Sequence, residues 1–370
     1  MKLGLRHIVP AVCAGISLIG VLVCAGISAS LTGSQYSQQA GERWVQSGDL
    51  RCAQVTAFFS EASDFRESSV MTVREKVNNA LTTASLEGSA DAPLWYDAYS
   101  VERGSVEVIG TKPSVCKALL TAVGGDFFQL HPMHLVNGVY LRPDDLMKDR
   151  VMIDTRLAWQ TFGSSDVAGM ELRVDDVTYL VAGVIEPEND KANRDAYGEI
   201  PRIYLPIEML GRESQAAVTE NDTGKLNTEP DDTAASGQYL TCYEAVLPNP
   251  VRGFAEKIVK EAVGEHDSMK LLQNTGRSSI LRRWENLLDL HKMVIASDGI
   301  AYPYWENAAR MTDFVAARLL LMEIIFAVLP VGWALWMLWN GYRWLSAFIR
   351  RKIEENKRRY RTIEKDPYSI

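Results

Sequence analysis

Two apolar runs, one near each end of the chain, limit what this sequence can fold into. The 20 residues from Ile8 to Ile27 carry no charge, and roughly 20 such residues in helix cross a hydrocarbon core of ~30 Å. The second run, Leu319 to Trp339, is interrupted only by Glu323 and Pro330. Backbone inside lipid must satisfy its own hydrogen bonds, which a helix does. Spanning helices are therefore expected at 8–28 and 319–340. A cleaved signal peptide is the alternative for the first, since its charged start and Ser28-Ala29-Ser30 imitate a processing site. The run is longer than the apolar part of such a peptide, roughly 7–15 residues.

Charge sets the orientation. Lys2 and Arg6 precede the first run, and Arg343, Arg350, Arg351 and Lys352 closely follow the second. By the positive-inside rule both termini face the cytoplasm of a cell-membrane protein, which leaves residues 33 to about 315 outside. Residues 1–7 carry +2 and residues 341–370 carry +5, so the overall −8 leaves −15 on the middle. So acidic a middle is the wrong sign for nucleic acid, which is held by clustered Lys and Arg. Trp333, Trp336, Trp339 and Trp344 crowd the inner half of the second run, either as a headgroup belt or as a face for partner helices. Glu323 lies close enough to the outer boundary to snorkel or to serve a function.

Between the runs the pattern is that of an α+β extracytoplasmic domain, strand–helix units flanking a strand-rich insert over about 120–210. A strand is expected at 54–59. Val70, Val73, Val77, Leu81 and Ala84 then recur at helical spacing through 67–84. Tyr96–Val101 and Val106–Ile109 read as a hairpin about Arg103-Gly104. Further strands are expected at 151–153, 170–174, 177–185, 239–247 and 269–272, with helices at 155–162, 251–262 and around 280–288. Residues 212–237, rich in Ser, Thr, Asp and Glu, bury too little to offset ordering entropy and read as a mobile loop.

Five short pieces then follow one another within about 60 residues. Gly124-Gly125-Asp126-Phe127-Phe128 comes first, then Leu135-Val136-Asn137-Gly138, then Val151-Met152-Ile153-Asp154 with Leu157-Ala158. Phe162-Gly163-Ser164-Ser165-Asp166-Val167-Ala168-Gly169 and Val181-Ala182-Gly183-Val184-Ile185 close the series. In order and spacing this resembles the MacB-like periplasmic core domain family. Gly163 and Gly169 stand where a helix stops and a strand starts, positions that favour φ > 0. Phe127, Phe128, Leu157, Ala158 and Phe162 are expected to share one small core. The resemblance implies a subunit of an ABC-type transport system of the MacB and FtsX permease kind, whose outer domain relays motion or receives cargo, working with separately encoded permease-like subunits and an ATPase. The chain departs from it in having no G-x-x-x-x-G-K-[ST] loop and one helix after the outer domain where such permeases have three.

Nothing in the sequence nominates an enzyme: there is no nucleophile elbow and no H-E-x-x-H. His131-Pro132-Met133-His134 lacks a nearby third ligand, so no metal or other cofactor is expected. Cys13 and Cys24 fall in the first span; of Cys52, Cys116 and Cys242 outside, at most one pair can join. The tail carries Trp344, Leu345, Phe348, Ile349 and Ile353 among basic residues, an amphipathic pattern for anionic headgroups or for docking on an ATPase. Trp344, Phe348, Arg350 and Arg351 are the candidate contacts, with the bilayer itself as the other partner. A two-pass binding or sensory receptor is the rival reading. In membranes washed with alkaline carbonate the chain is expected in the pellet, and a tag at Asn221 is expected to react from outside intact cells; release or protection would contradict the topology.

Overall fold

The computed structural model describes residues 5–44, 50–60, 63–86, 88, 93–210, 239–266, 268–293 and 299–365. The chain forms two compact units, residues 1–30 with 315–370, and residues 31–314. The expected mobile loop at 212–237 lies outside the described residues.

The first helix, α1 (Leu5–Gly33), contains the apolar run. In the 31–314 unit, strand β1 (Cys52–Phe59) is buried along its whole length. Its side chains alternate: Ala53, Val55, Ala57 and Phe59 enter one core, and Cys52 and Phe58 the other, with Gln54 and Thr56 between them. Helix α2 (Glu67–Thr83) lays the expected stripe of Val70, Val73, Val77 and Leu81 into the first core.

Strands β2 (Tyr96–Ile109) and β3 (Cys116–Gly125) correct the expected hairpin. Arg103-Gly104 is not its turn: β2 runs straight through, and the pairing register shifts between Glu102 and Ser105. A bulge interrupts alternation much as a turn does, because it inserts residues that face the wrong way. The real reversal falls at 110–115.

Beyond β3 come β4 (His134–Gly138), β5 (Arg150–Asp154) and α3 (Thr155–Thr161). Asp154 caps α3, its carboxylate accepting from the Leu157 N–H at 2.7 Å. Gly163 and Gly169 stand at φ +84° and +82°, as their place in the sequence suggested. Strands β6 (Glu171–Val174) and β7 (Val177–Glu186) follow, then α4 (Lys191–Tyr197) and β8 (Arg202–Pro206). After residue 239 come β9 (Cys242–Pro248), α5 (Phe254–Val263), β10 (Met269–Gln273), α6 (Ile280–Leu288) and α7 (Tyr304–Lys365).

The strand-rich insert is not a separate layer. All ten strands join one sheet in the order β10-β1-β9-β2-β3-β8-β5-β7-β4, with β6 bridging β2 and β7. The single small core expected for Phe127, Phe128, Leu157, Ala158 and Phe162 is divided by that sheet. Leu157 and Ala158, with Phe162 against them, lie on the α2 face, and Phe127 and Phe128 lie on the other with Tyr204 and Trp305. Cys52, Cys116 and Cys242 are all free, the first and last buried in β1 and β9. Burial pushes the Cys52 thiol up to about 11.

In the other unit, Gly20 of α1 lies under the Phe326 ring of α7, where an added Cβ would meet ring carbons at 3.0 Å. Small residues let apolar helices approach this closely. Replacing Leu81 by Ala is expected to cost about 2–5 kcal/mol through the cavity it leaves. The exposed Met71→Ala on the same helix should stay within about 0.5 kcal/mol. Denaturant unfolding of the full chain checks both.

Candidate functional site

The chemistry of the 31–314 unit is concentrated on the sheet face that holds Phe58, Phe127 and Trp305. Alternation forces Gln54 and Thr56 of β1 and Glu244 of β9 onto that face, and Glu244 is 1% exposed. A buried carboxylate must be answered by hydrogen-bond donors. The Thr56 hydroxyl lies 3.1 Å and Gln54 Nε2 3.4 Å from Glu244 Oε1, and His131 Nε2 lies 2.6 Å from Oε2. His131 is fully buried against the rings of Phe127 and Trp305, at centroid distances of 4.5 and 4.6 Å.

From Glu244 the polar contacts continue through Thr56, whose single hydroxyl proton goes either to Glu244 Oε1 or to Asn274 Oδ1. Thr56 Oγ1 is 2.9 Å from Asn274 Oδ1, and Asn274 Nδ2 donates to Gln38 Oε1. The same Gln38 oxygen accepts from Arg277 Nη1 at 3.2 Å. The Arg277 guanidinium grips Glu306 with two bonds, 2.7 and 3.0 Å, and Asp313 through Nε at 2.6 Å. Arg310 closes the series, donating to Glu306 Oε1 at 3.2 Å and standing 3.4 Å over the Tyr302 ring. Burial alone would lower the Arg277 guanidinium, but its two carboxylates outweigh that and raise it, so it stays charged. Burial raises Asp313, more than Arg277 lowers it.

This string fastens both terminal segments of the unit to β1 and β9, the strands beside the β10 edge of its sheet. Residues 35–44 are held through Gln38 and through Gln54, whose Oε1 accepts from the Ala40 N–H at 3.0 Å and whose Nε2 donates to the Ser37 carbonyl at 2.8 Å. Gly41 is packed so close that a Cβ there would stand 2.6 Å from the Gln54 nitrogen and 2.5 Å from Thr275 Oγ1. The start of α7 is held through Glu306 and Asp313, with Arg310 on the same helix face bracing Glu306. A cavity of about 30 Å3, room for a single water, is lined by Gln35, Gln38, Glu42, Arg277, Thr312 and Asp313.

A second, wider cavity of about 490 Å3 lies at the surface among Asp126, Phe128, Gln129, Tyr140, Arg142 and Asp144. His134 does not join His131: it is exposed, 3.6 Å from Glu186.

The sequence-nominated contacts all lie on α7. Trp344 and Phe348 stack at 5.7 Å with 16° between their planes, both exposed. At 100° per residue, Trp344, Leu345, Phe348, Ile349 and Ile353 make one face, and Arg343, Arg350, Arg351, Lys357 and Arg358 the adjoining one. Arg351 falls 20° from Trp344, and Arg350 falls 120° round. Nothing in the sequence had pointed to the buried string. Gln54 and Thr56, polar within an otherwise apolar strand, were its one visible sign.

The profile of the MacB-like periplasmic core domain family matches residues 13–238, well over half of the 370-residue chain. No curated protein matches the sequence. Among solved structures, the periplasmic region of MacB from Actinobacillus actinomycetemcomitans is similar over 62% of this chain and 92% of its own, at 14% identity and a TM-score of 0.38. The extracellular domain of the noncanonic ABC-type transporter YknZ from Gram-positive bacteria is similar over 56% and 90%, at 13% identity and a TM-score of 0.34. Gln38, Gln54, Thr56 and His131 fall inside the matched stretch, and Glu244, Asn274, Arg277 and Glu306 follow it. With two helices long and apolar enough to cross a bilayer, the chain is a membrane protein that belongs to the MacB-like periplasmic core domain family.

Proposed function

We propose that this chain is a permease-like or accessory membrane subunit of an ABC transport system, whose outer domain relays motion while a separately encoded ATPase supplies energy. Its topology on this reading is a cytoplasmic 1–7, spans at 8–28 and 319–340, an outer domain at 33–315 and a cytoplasmic tail at 341–370. The observation that carries the relay is the buried string from Glu244 to Asp313. A displacement of residues 35–44 or of the start of α7 must move β1 and β9 with it, because the alternative is to leave buried charges without partners.

The tail supports the ATPase as partner. Helix α7 continues without a break from Tyr304 to Lys365. The 25 residues after the span therefore prolong the same helix by roughly 37 Å. Lying on the headgroups would require the helix to break or bend after residue 340, and its assignment is continuous there. Trp344, Phe348 and Arg351 then form an aromatic and basic corner of the kind that dominates protein interfaces.

A second reading, a two-pass binding or sensory receptor, is favoured by the 490 Å3 cavity around Tyr140 and Arg142. It predicts a ligand there and no ATPase.

Purification in mild detergent at native expression is expected to bring an ATPase with the chain, and recovery of the chain alone would favour the receptor. Trp344→Ala with Phe348→Ala should cut ATPase recovery about tenfold or more, the effect of losing ~2 kcal/mol at a central contact. Arg350→Glu, further round the helix, should cut it less than Arg351→Glu. Arg277→Met is expected to destabilise the outer domain by about 3–5 kcal/mol, since it leaves Glu306 and Asp313 uncompensated, without weakening ATPase recovery; thermal unfolding and the same pull-down separate the two.

A further inference from the structure

Helix α6 buries none of its residues. Ile280 is 72% exposed, Leu281 50%, Trp284 46% and Leu288 64%. At 100° per residue these four and Leu287 fall within an arc of about 120°, while Arg282, Arg283, Glu285 and Asn286 fill the remainder. A sharply two-faced helix with its apolar side uncovered needs something to lie against.

Its place in the chain indicates what that is. Ser279 caps the helix, its hydroxyl facing the Arg282 N–H at 3.5 Å. Two residues earlier, Arg277 is bound to Asp313 at 2.6 Å and to Gln38 at 3.2 Å. Asp313 stands six residues before Leu319, the first residue of the second apolar run, a tether of at most ~20 Å. Gln38 stands five residues after Gly33, the end of α1. The start of α6 is thus tied by short tethers to both points where the chain meets the membrane. Its composition also suits a boundary between water and lipid, where an indole on the apolar side and arginines beside it are favoured.

We propose that α6 is an interfacial anchor: its Ile280–Trp284–Leu288 face lies in the headgroup–acyl boundary of the leaflet beneath the folded domain, with Arg282 and Glu285 towards water. The occupant of the apolar face is the bilayer itself, and the anchor holds the base of the domain at a fixed height. This depends on the two spans and not on the ATPase.

The test uses the full chain in lipid nanodiscs, with Cys13, Cys24 and Cys116 replaced by Ala. A nitroxide is placed at Leu288→Cys or, as the water-facing control, at Glu285→Cys. Because α6 buries nothing, neither substitution removes a core contact. Collisions with dissolved oxygen and with a water-soluble nickel chelate are compared. The ratio of oxygen to nickel collisions is expected to be several-fold higher at 288 than at 285. Equal ratios in nanodiscs would overturn the proposal. So would dipolar broadening between labels at 288, which would mean a second copy covers the face, or oxygen collisions at 288 as rare as inside packed protein, which would mean the chain itself covers it.

Discussion

One guanidinium, that of Arg277, holds two carboxylates and an amide oxygen in a site nearly closed to water. Taking such charges out of water is expensive, and the cost is recovered only when every partner is in place. That requirement makes four distant parts of the chain interdependent: the 35–44 segment, β1, the 274–277 turn and the first turns of α7. None can shift alone without leaving Glu306, Asp313 or Glu244 unanswered. The apolar cores supply most of the stability, and on the α2 face the Arg74–Asp97 pair adds a fixed polar contact of its own. The polar string defines one position.

Much of the architecture can be read from residue order. The apolar runs, the stripe at Val70, Val73, Val77 and Leu81, and the glycines at 163 and 169 each leave a local, periodic or conformational mark, and local marks survive without knowledge of the fold. The polar string leaves almost none. Its bonded members stand up to 239 residues apart, as Gln38 and Arg277 do, and each looks ordinary where it stands. Gln54 and Thr56 resemble the solvent side of an edge strand, Arg277 resembles a turn residue, and Glu306, Arg310 and Asp313 resemble a polar lead into a span. Only their coincidence on one sheet face gives them a role.

The misreadings are equally physical. Arg103-Gly104 looked like a reversal because a bulge and a turn both break alternation, and only the partner strand tells them apart. The residues of the family motif looked like one core because they are close in sequence, yet a sheet passes between Phe127 and Leu157. Short sequence distance predicts shared surroundings poorly when a strand lies between.

The position of β9 has a consequence for how the domain is sewn together. β9 arrives late in the chain, after the 211–238 stretch, yet it is inserted between β1 and β2, bonded to both along most of its length. The two halves of the chain on either side of that stretch are consequently woven, not stacked. A break in the covalent chain there would leave the later half clasped on two edges, so the domain can tolerate a nick or a guest sequence at that point while keeping its shape.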